Sequence, residues 1–106
     1  MTHDDRSLNN RFHQLIENGT IDRAYNEQAT CAFADIPFTE YAEGLCEQAE
    51  KRIYVNSMLS WCPWFILDKI LVHEAAHISK GYKYGFDTNG DDSHGPEFKE
   101  FNHIFM

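Results

Sequence analysis

A chain of 106 residues has material for one domain of ordinary size and none to spare for a second core. Hydrophobic residues make up 42% and aromatics 14%, which is enough for a compact core and excludes disorder along the whole length. Nine Lys+Arg against 17 Asp+Glu give a formal net charge of −8, and such a surface repels nucleic acid unless its few cations cluster. The nearest approaches to a cluster are the pairs Lys80/Lys83 and Lys51/Arg52, too thin for a stand-alone nucleic-acid binder.

The first ten residues, MTHDDRSLNN, are polar and acidic, unlike a secretory signal. The longest apolar run spans four residues, 64–67, far short of a bilayer crossing. Cys31, Cys46 and Cys62 are odd in number, widely spaced and without a CxxC pair. Reduced, mostly buried thiols in a cytoplasmic setting fit that pattern better than a disulfide framework or a zinc ribbon.

Residues 4–18 read as a first helix, with Leu8, Phe12, Leu15 and Ile16 at helical spacing and Asn18-Gly19 as its end. Residues 29–34 and 52–56 read as strands, the second rich in β-branched and aromatic residues. Between them, around Pro37 and Gly44, a third and less regular strand is expected. Pro63 opens a long helix, where its missing N–H costs nothing. That helix runs from Trp64 to about Ser79, is apolar on most of its circumference, and has Gly81 as its expected stop. Residues 85–95, GFDTNGDDSHG, form a polar loop dense in turn formers. Gly95-Pro96 then starts a last helix carrying Phe98, Phe101 and Phe105 on one face. Trp61 and Trp64, flanking Pro63, are expected in the core, and Cys62 is expected as a buried thiol.

The chemistry concentrates in His73-Glu74-Ala75-Ala76-His77. Helix residues four apart project from one face, so both imidazoles can reach a single metal ion. A zinc ion there supplies Lewis acidity and acidifies water to near neutrality. Glu74, offset by one residue, meets that water without competing as a ligand, and its carboxylate can accept a proton and return it to a leaving amine. On a buried helix, two imidazoles and a carboxylate without such a task would be costly.

Two ligands underfill a zinc site, so a third must come from elsewhere. His94, directly before the Gly95-Pro96 helix start, is the leading candidate. Glu97 is its rival, because other HExxH enzymes complete the site with a helix-borne Glu at similar separation. Asp87, Asp91, Asp92 and His103 are further options. Counted from Asp87, the calcium-loop template fails at its sixth position, Asp92 in place of Gly, and at its twelfth, Phe98 in place of Glu. Tyr82, Tyr84 or His103 could donate to an oxyanion, although aromatics that follow a core helix more often serve packing.

HEAAH followed by SHGPEFKEF, with sixteen residues between His77 and His94, resembles the SprT-like zinc metallopeptidases, the group that includes the Spartan proteases. KRIYVNSML ahead of a hydrophobic helix is similar to that family's arrangement upstream of its motif. The resemblance implies His73, His77 and His94 as ligands of one zinc ion per chain and Glu74 as catalytic base. It also implies a small zincin-like α+β domain, with an N-terminal helix and a short antiparallel sheet packed on the HExxH helix and a C-terminal helix closing the core. The chain carries no zinc ribbon of the kind many relatives have, and its acidity sets it apart from members directed to DNA.

The activity expected is zinc-dependent hydrolysis of peptide bonds in protein or peptide substrates, with nucleic acid involved only through the substrate and no membrane partner. Two other classes use the same residues: a zinc-stabilised interaction module without activity, and a non-peptidase zinc hydrolase acting on another amide. An intact Glu74 weighs against the first, because a structural site has no use for it.

Overall fold

The computed structural model describes residues 2–37, 43–86 and 95–102. Helix α1 spans Asp5–Glu17, and the Asp4 carboxylate caps it by accepting from the Ser7 N–H at 2.8 Å. It ends at Asn18, followed by Gly19 at φ 85°, where a side chain would be strained. Its buried positions are Leu8, Phe12, Leu15 and Ile16, as their spacing predicts. A single turn, α2 (Arg23–Asn26), follows; Asp22 caps it in the same way.

Three strands, β1 (Thr30–Ala34), β2 (Gly44–Glu47) and β3 (Arg52–Asn56), form one sheet in the order β1-β3-β2. The expected antiparallel sheet is corrected here, because the sheet is mixed. β2 pairs antiparallel with β3, but β1 pairs parallel with it, Cys31 opposite Ile53 and Phe33 opposite Val55. The reason lies in the path of the chain: β2 enters on the far side of the position that β3 then fills. A hairpin can make the β2–β3 pairing but not the β1–β3 pairing.

One face of the sheet carries Cys31, Phe33, Cys46, Ile53 and Val55 into the core cluster. The other carries Arg52, Tyr54, Leu45 and Glu47, and it is more open to solvent. Cys31 and Cys46 both lie opposite Ile53, one on each side of it. Two strand spacings, about 9.5 Å, separate them, beyond the reach of a disulfide. All three cysteines are free thiols, and burial pushes the Cys31 thiol well above its usual range.

A 3₁₀ turn (Ser57–Leu59) leads through Pro63 into α3 (Trp64–Tyr84), a helix of 21 residues. It runs past the expected stop. Gly81 is buried inside it, and a Cβ there would come within 2.5 Å of the Phe86 ring and 2.9 Å of Gln48 Oε1. Gly81 is therefore a packing residue, and the cap is Gly85 at φ 115°. The last helix, α4 (Pro96–Lys99), is a single turn; it buries Phe98, and Phe101 just beyond it, against Ala76. Phe105 lies outside the described residues.

The result is a small compact α+β domain whose core joins α1, the inner sheet face and α3. No helix among the described residues is long and apolar enough to cross a membrane.

One tie between α1 and α3 has no signal in the hydrophobic pattern. The Arg11 guanidinium donates to both oxygens of Asp68, at 2.8 and 2.6 Å, in a bidentate pair. The side chain of Asp68 is 10% exposed and that of Arg11 33%. The guanidinium can turn to water if its partner is lost, whereas the carboxylate cannot. Arg11→Met is therefore expected to cost about 2 kcal/mol of folding stability, and Asp68→Asn about half as much. Urea denaturation of the two variants measures this, and the reverse order would disprove the asymmetry.

Candidate metal centre

α3 brings His73, Glu74 and His77 together by its own periodicity. Glu74 and His77 are buried and His73 half-buried. The two Nε2 atoms stand 3.3 Å apart, and the rings meet edge-on at 76° with centroids 4.9 Å apart. One ligand atom from each of the three residues lies within 4.8 Å of the other two. Ala75 and Ala76, small and almost fully buried, let neighbouring elements press against the same turn.

The residues fit a zinc ion. Ligands about 2.0–2.1 Å from a tetrahedral ion stand about 3.3 Å from each other, which is the separation the two imidazole nitrogens already have. Phe98 from α4 packs on both rings, with centroids 5.0 Å from His73 and 4.6 Å from His77, and so limits their rotation.

Beside the motif lies a cavity of about 410 Å³ lined by Glu43, Gly44, Ile66, Lys69, Ile70, His73 and Glu74. Gly44 makes this juxtaposition of strand and helix possible. A Cβ on it would come within 2.9 Å of the Ile70 side chain and 3.2 Å of both Glu74 Cγ and the Tyr54 carbonyl. Read from the sequence, Gly44 marks only the irregular middle segment. The available signal is that a glycine inside a strand often marks close approach of another element.

Burial pushes the Glu74 carboxyl up to about 7 from its ordinary value of 4.5. In the metal-free chain burial therefore favours the neutral carboxyl and makes its carboxylate a readier proton acceptor.

The candidates for a third ligand lie on a different part of the chain. His94 lies outside the described residues, as do Asp87, Asp91, Asp92 and His103. Glu97 is described: it is exposed on α4 and is not part of the histidine–glutamate cluster, so the rival assignment gains nothing.

The two tyrosines weighed as oxyanion donors are engaged elsewhere. The Tyr82 hydroxyl donates to the Ala49 carbonyl and the Tyr84 hydroxyl to Glu100, which also accepts from Lys83 Nζ at 2.6 Å. The Cys62 side chain is buried, and the bond from His3 reaches its backbone carbonyl at 3.0 Å. Trp64 is half-buried, with the His3 ring 4.0 Å away, but Trp61 corrects the sequence reading: it is 65% exposed. The turn before Pro63 directs it outward while the following helix goes in.

No protein-family model, curated protein or solved structure matches this chain.

Proposed function

We propose that this chain is a zinc-dependent metallopeptidase of the SprT-like type, hydrolysing peptide bonds in protein or peptide substrates. His73, His77 and His94 hold one zinc ion, and Glu74 is the general base. The observation that carries the reading is a pair of imidazole nitrogens at the separation of tetrahedral ligands, beside a buried carboxylate that lines an open cavity. His94 is supported by its sequence neighbours: Gly95 opens α4, and Phe98 anchors that helix on both motif imidazoles.

Zinc, when bound, supplies Lewis acidity for a carbonyl and lowers the pKa of water. Glu74 takes the proton from the attacking water and hands it to the leaving amine. The cavity places the substrate. β2 is an edge of the sheet among the described residues, and an extended peptide can be held along such an edge by main-chain hydrogen bonds. Gly44 lets Glu74 sit against that strand, so a peptide bond lying there comes within reach of the carboxylate. A purely structural zinc site has no use for Glu74, whose burial weakens the metal-free fold.

Elemental analysis of purified protein tests the assignment. Wild type and Glu97→Ala are expected to carry one zinc per chain, and His94→Ala much less. Zinc lost with Glu97→Ala instead would move the third ligand to α4 and weaken the SprT-like reading. Absence of metal from every sample, even after reconstitution, would overturn it. Zinc with no cleavage of any unfolded substrate would leave a zinc-stabilised interaction module.

A further inference from the structure

Three of the most exposed large hydrophobic side chains of the described residues fall within eight positions: Met58 at 67%, Trp61 at 65% and Phe65 at 64%. They belong to a longer peculiarity. None of the 15 residues from 53 to 67 is charged, in a chain where a quarter of residues are. The inner half of that run builds the core through Ile53, Val55, Cys62 and Leu67. The outer half is turned to water.

The other exposed aromatics are occupied. The hydroxyls of Tyr82 and Tyr84 are bonded, and the Phe86 ring meets Tyr82 edge-on at 5.0 Å. Among the described residues, Met58, Trp61 and Phe65 have no such bond or ring contact, and they lie close together along the chain. Exposed apolar surface that is grouped in this way marks contact with another molecule.

The stretch leads along the chain to the candidate site. Phe65 directly precedes Ile66 and stands one helical turn before Lys69, and both of these line the cavity with Ile70, His73 and Glu74. From Phe65 to His73 is about 12 Å along the helix, a distance spanned by about four residues of extended chain. A net charge of −8 repels nucleic acid and anionic lipid, so an uncharged aromatic strip within it selects by apolar contact. A folded protein keeps its apolar side chains inside and offers such a strip little, whereas an unfolded segment offers both the side chains and the extended backbone.

We propose that Met58, Trp61 and Phe65 form a docking ledge for an apolar, unfolded stretch of the substrate polypeptide, about four residues from the bond that is cut. This rests on the metallopeptidase reading for its substrate.

The test reads docking without cleavage. Zinc-loaded Glu74→Gln is titrated against a labelled, uncharged 14-residue peptide containing two phenylalanines, and against its counterpart with serines in their place, by fluorescence anisotropy. The phenylalanine peptide is expected to bind at least about tenfold more tightly. Adding Trp61→Ser and Phe65→Ser should abolish that difference, while Trp61→Phe with Phe65→Leu should keep most of it. These positions are exposed, so melting temperature and zinc content should stay at the parent's values.

Equal binding of both peptides, or a preference untouched by the serine substitutions, would overturn the proposal. So would a dimer in sedimentation that the serine substitutions turn into monomers, because a second copy would then own the ledge. The two readings fail separately. If wild type cleaves neither peptide while docking behaves as described, the peptidase assignment falls and the ledge remains. If Trp61→Ser/Phe65→Ser in the otherwise wild-type chain cleaves the phenylalanine peptide with unchanged KM, the ledge falls and the peptidase assignment remains.

Discussion

Glu74→Gln is expected to retain one zinc per chain and to lose peptide-bond cleavage by at least about a thousandfold. The substitution keeps the volume and shape of a side chain buried beside Gly44 and removes only its capacity to take a proton. The two imidazoles, 3.3 Å apart and braced by Phe98, do not depend on the carboxylate for their placement. Zinc content and activity should therefore part company in this variant. Parallel loss of both would put Glu74 among the ligands and make the site structural. Cleavage at the wild-type rate with zinc still bound would leave the proposed base without a role. His73→Ala serves as the contrasting variant, in which both quantities should fall together.

How much of this was legible beforehand depends on the range of the interaction involved. The span of α1 follows from four apolar residues at helical spacing and from Asp4, all within one segment. The span of β3 and the pairing of His73 with His77 are local in the same sense. The parallel partnership of β1 with β3 is not local, because it depends on where β2 lies between them in the chain. Gly81 and Gly44 show the same limit in single residues. A glycine that stops a helix and one that admits a neighbour look alike until the neighbour is known, and here the neighbours are Phe86 and Gln48 for Gly81, and Ile70 and Glu74 for Gly44. Trp61 was misread because tryptophan beside a core helix is normally core; its exposure follows from the turn that precedes Pro63. The bidentate Arg11–Asp68 pair joins positions 57 residues apart and leaves no periodic trace. Short-range groupings were therefore readable, and the cavity beside them was not.

The metal-free chain should be markedly less stable at pH 8 than at pH 5.5, in a way that Glu74→Gln removes. Burial raises the folded-state pKa of Glu74 to about 7, against 4.5 as its ordinary value. Between these values the folded chain holds the proton more firmly than the unfolded chain does. The linked stabilisation is therefore fully present below about pH 4.5 and is lost as pH rises through about 7. The gap between those two values is worth about 3 kcal/mol, a large share of what a small domain has. The physical cause is the cost of a bare carboxylate on a side chain that is almost wholly buried. Glutamine is neutral at every pH in question, so the variant lacks this dependence. Every other side chain is common to the two proteins, so the difference between wild type and variant reads the contribution of Glu74. Urea denaturation of chelator-treated wild type and Glu74→Gln at the two pH values measures that difference directly. Equal losses in the two proteins would show that Glu74 is already charged, and solvated, in the metal-free fold. A bound cation reverses the balance by favouring the charged carboxylate nearby. Zinc-loaded wild type should therefore lose less of its stability between pH 5.5 and 8 than the metal-free chain.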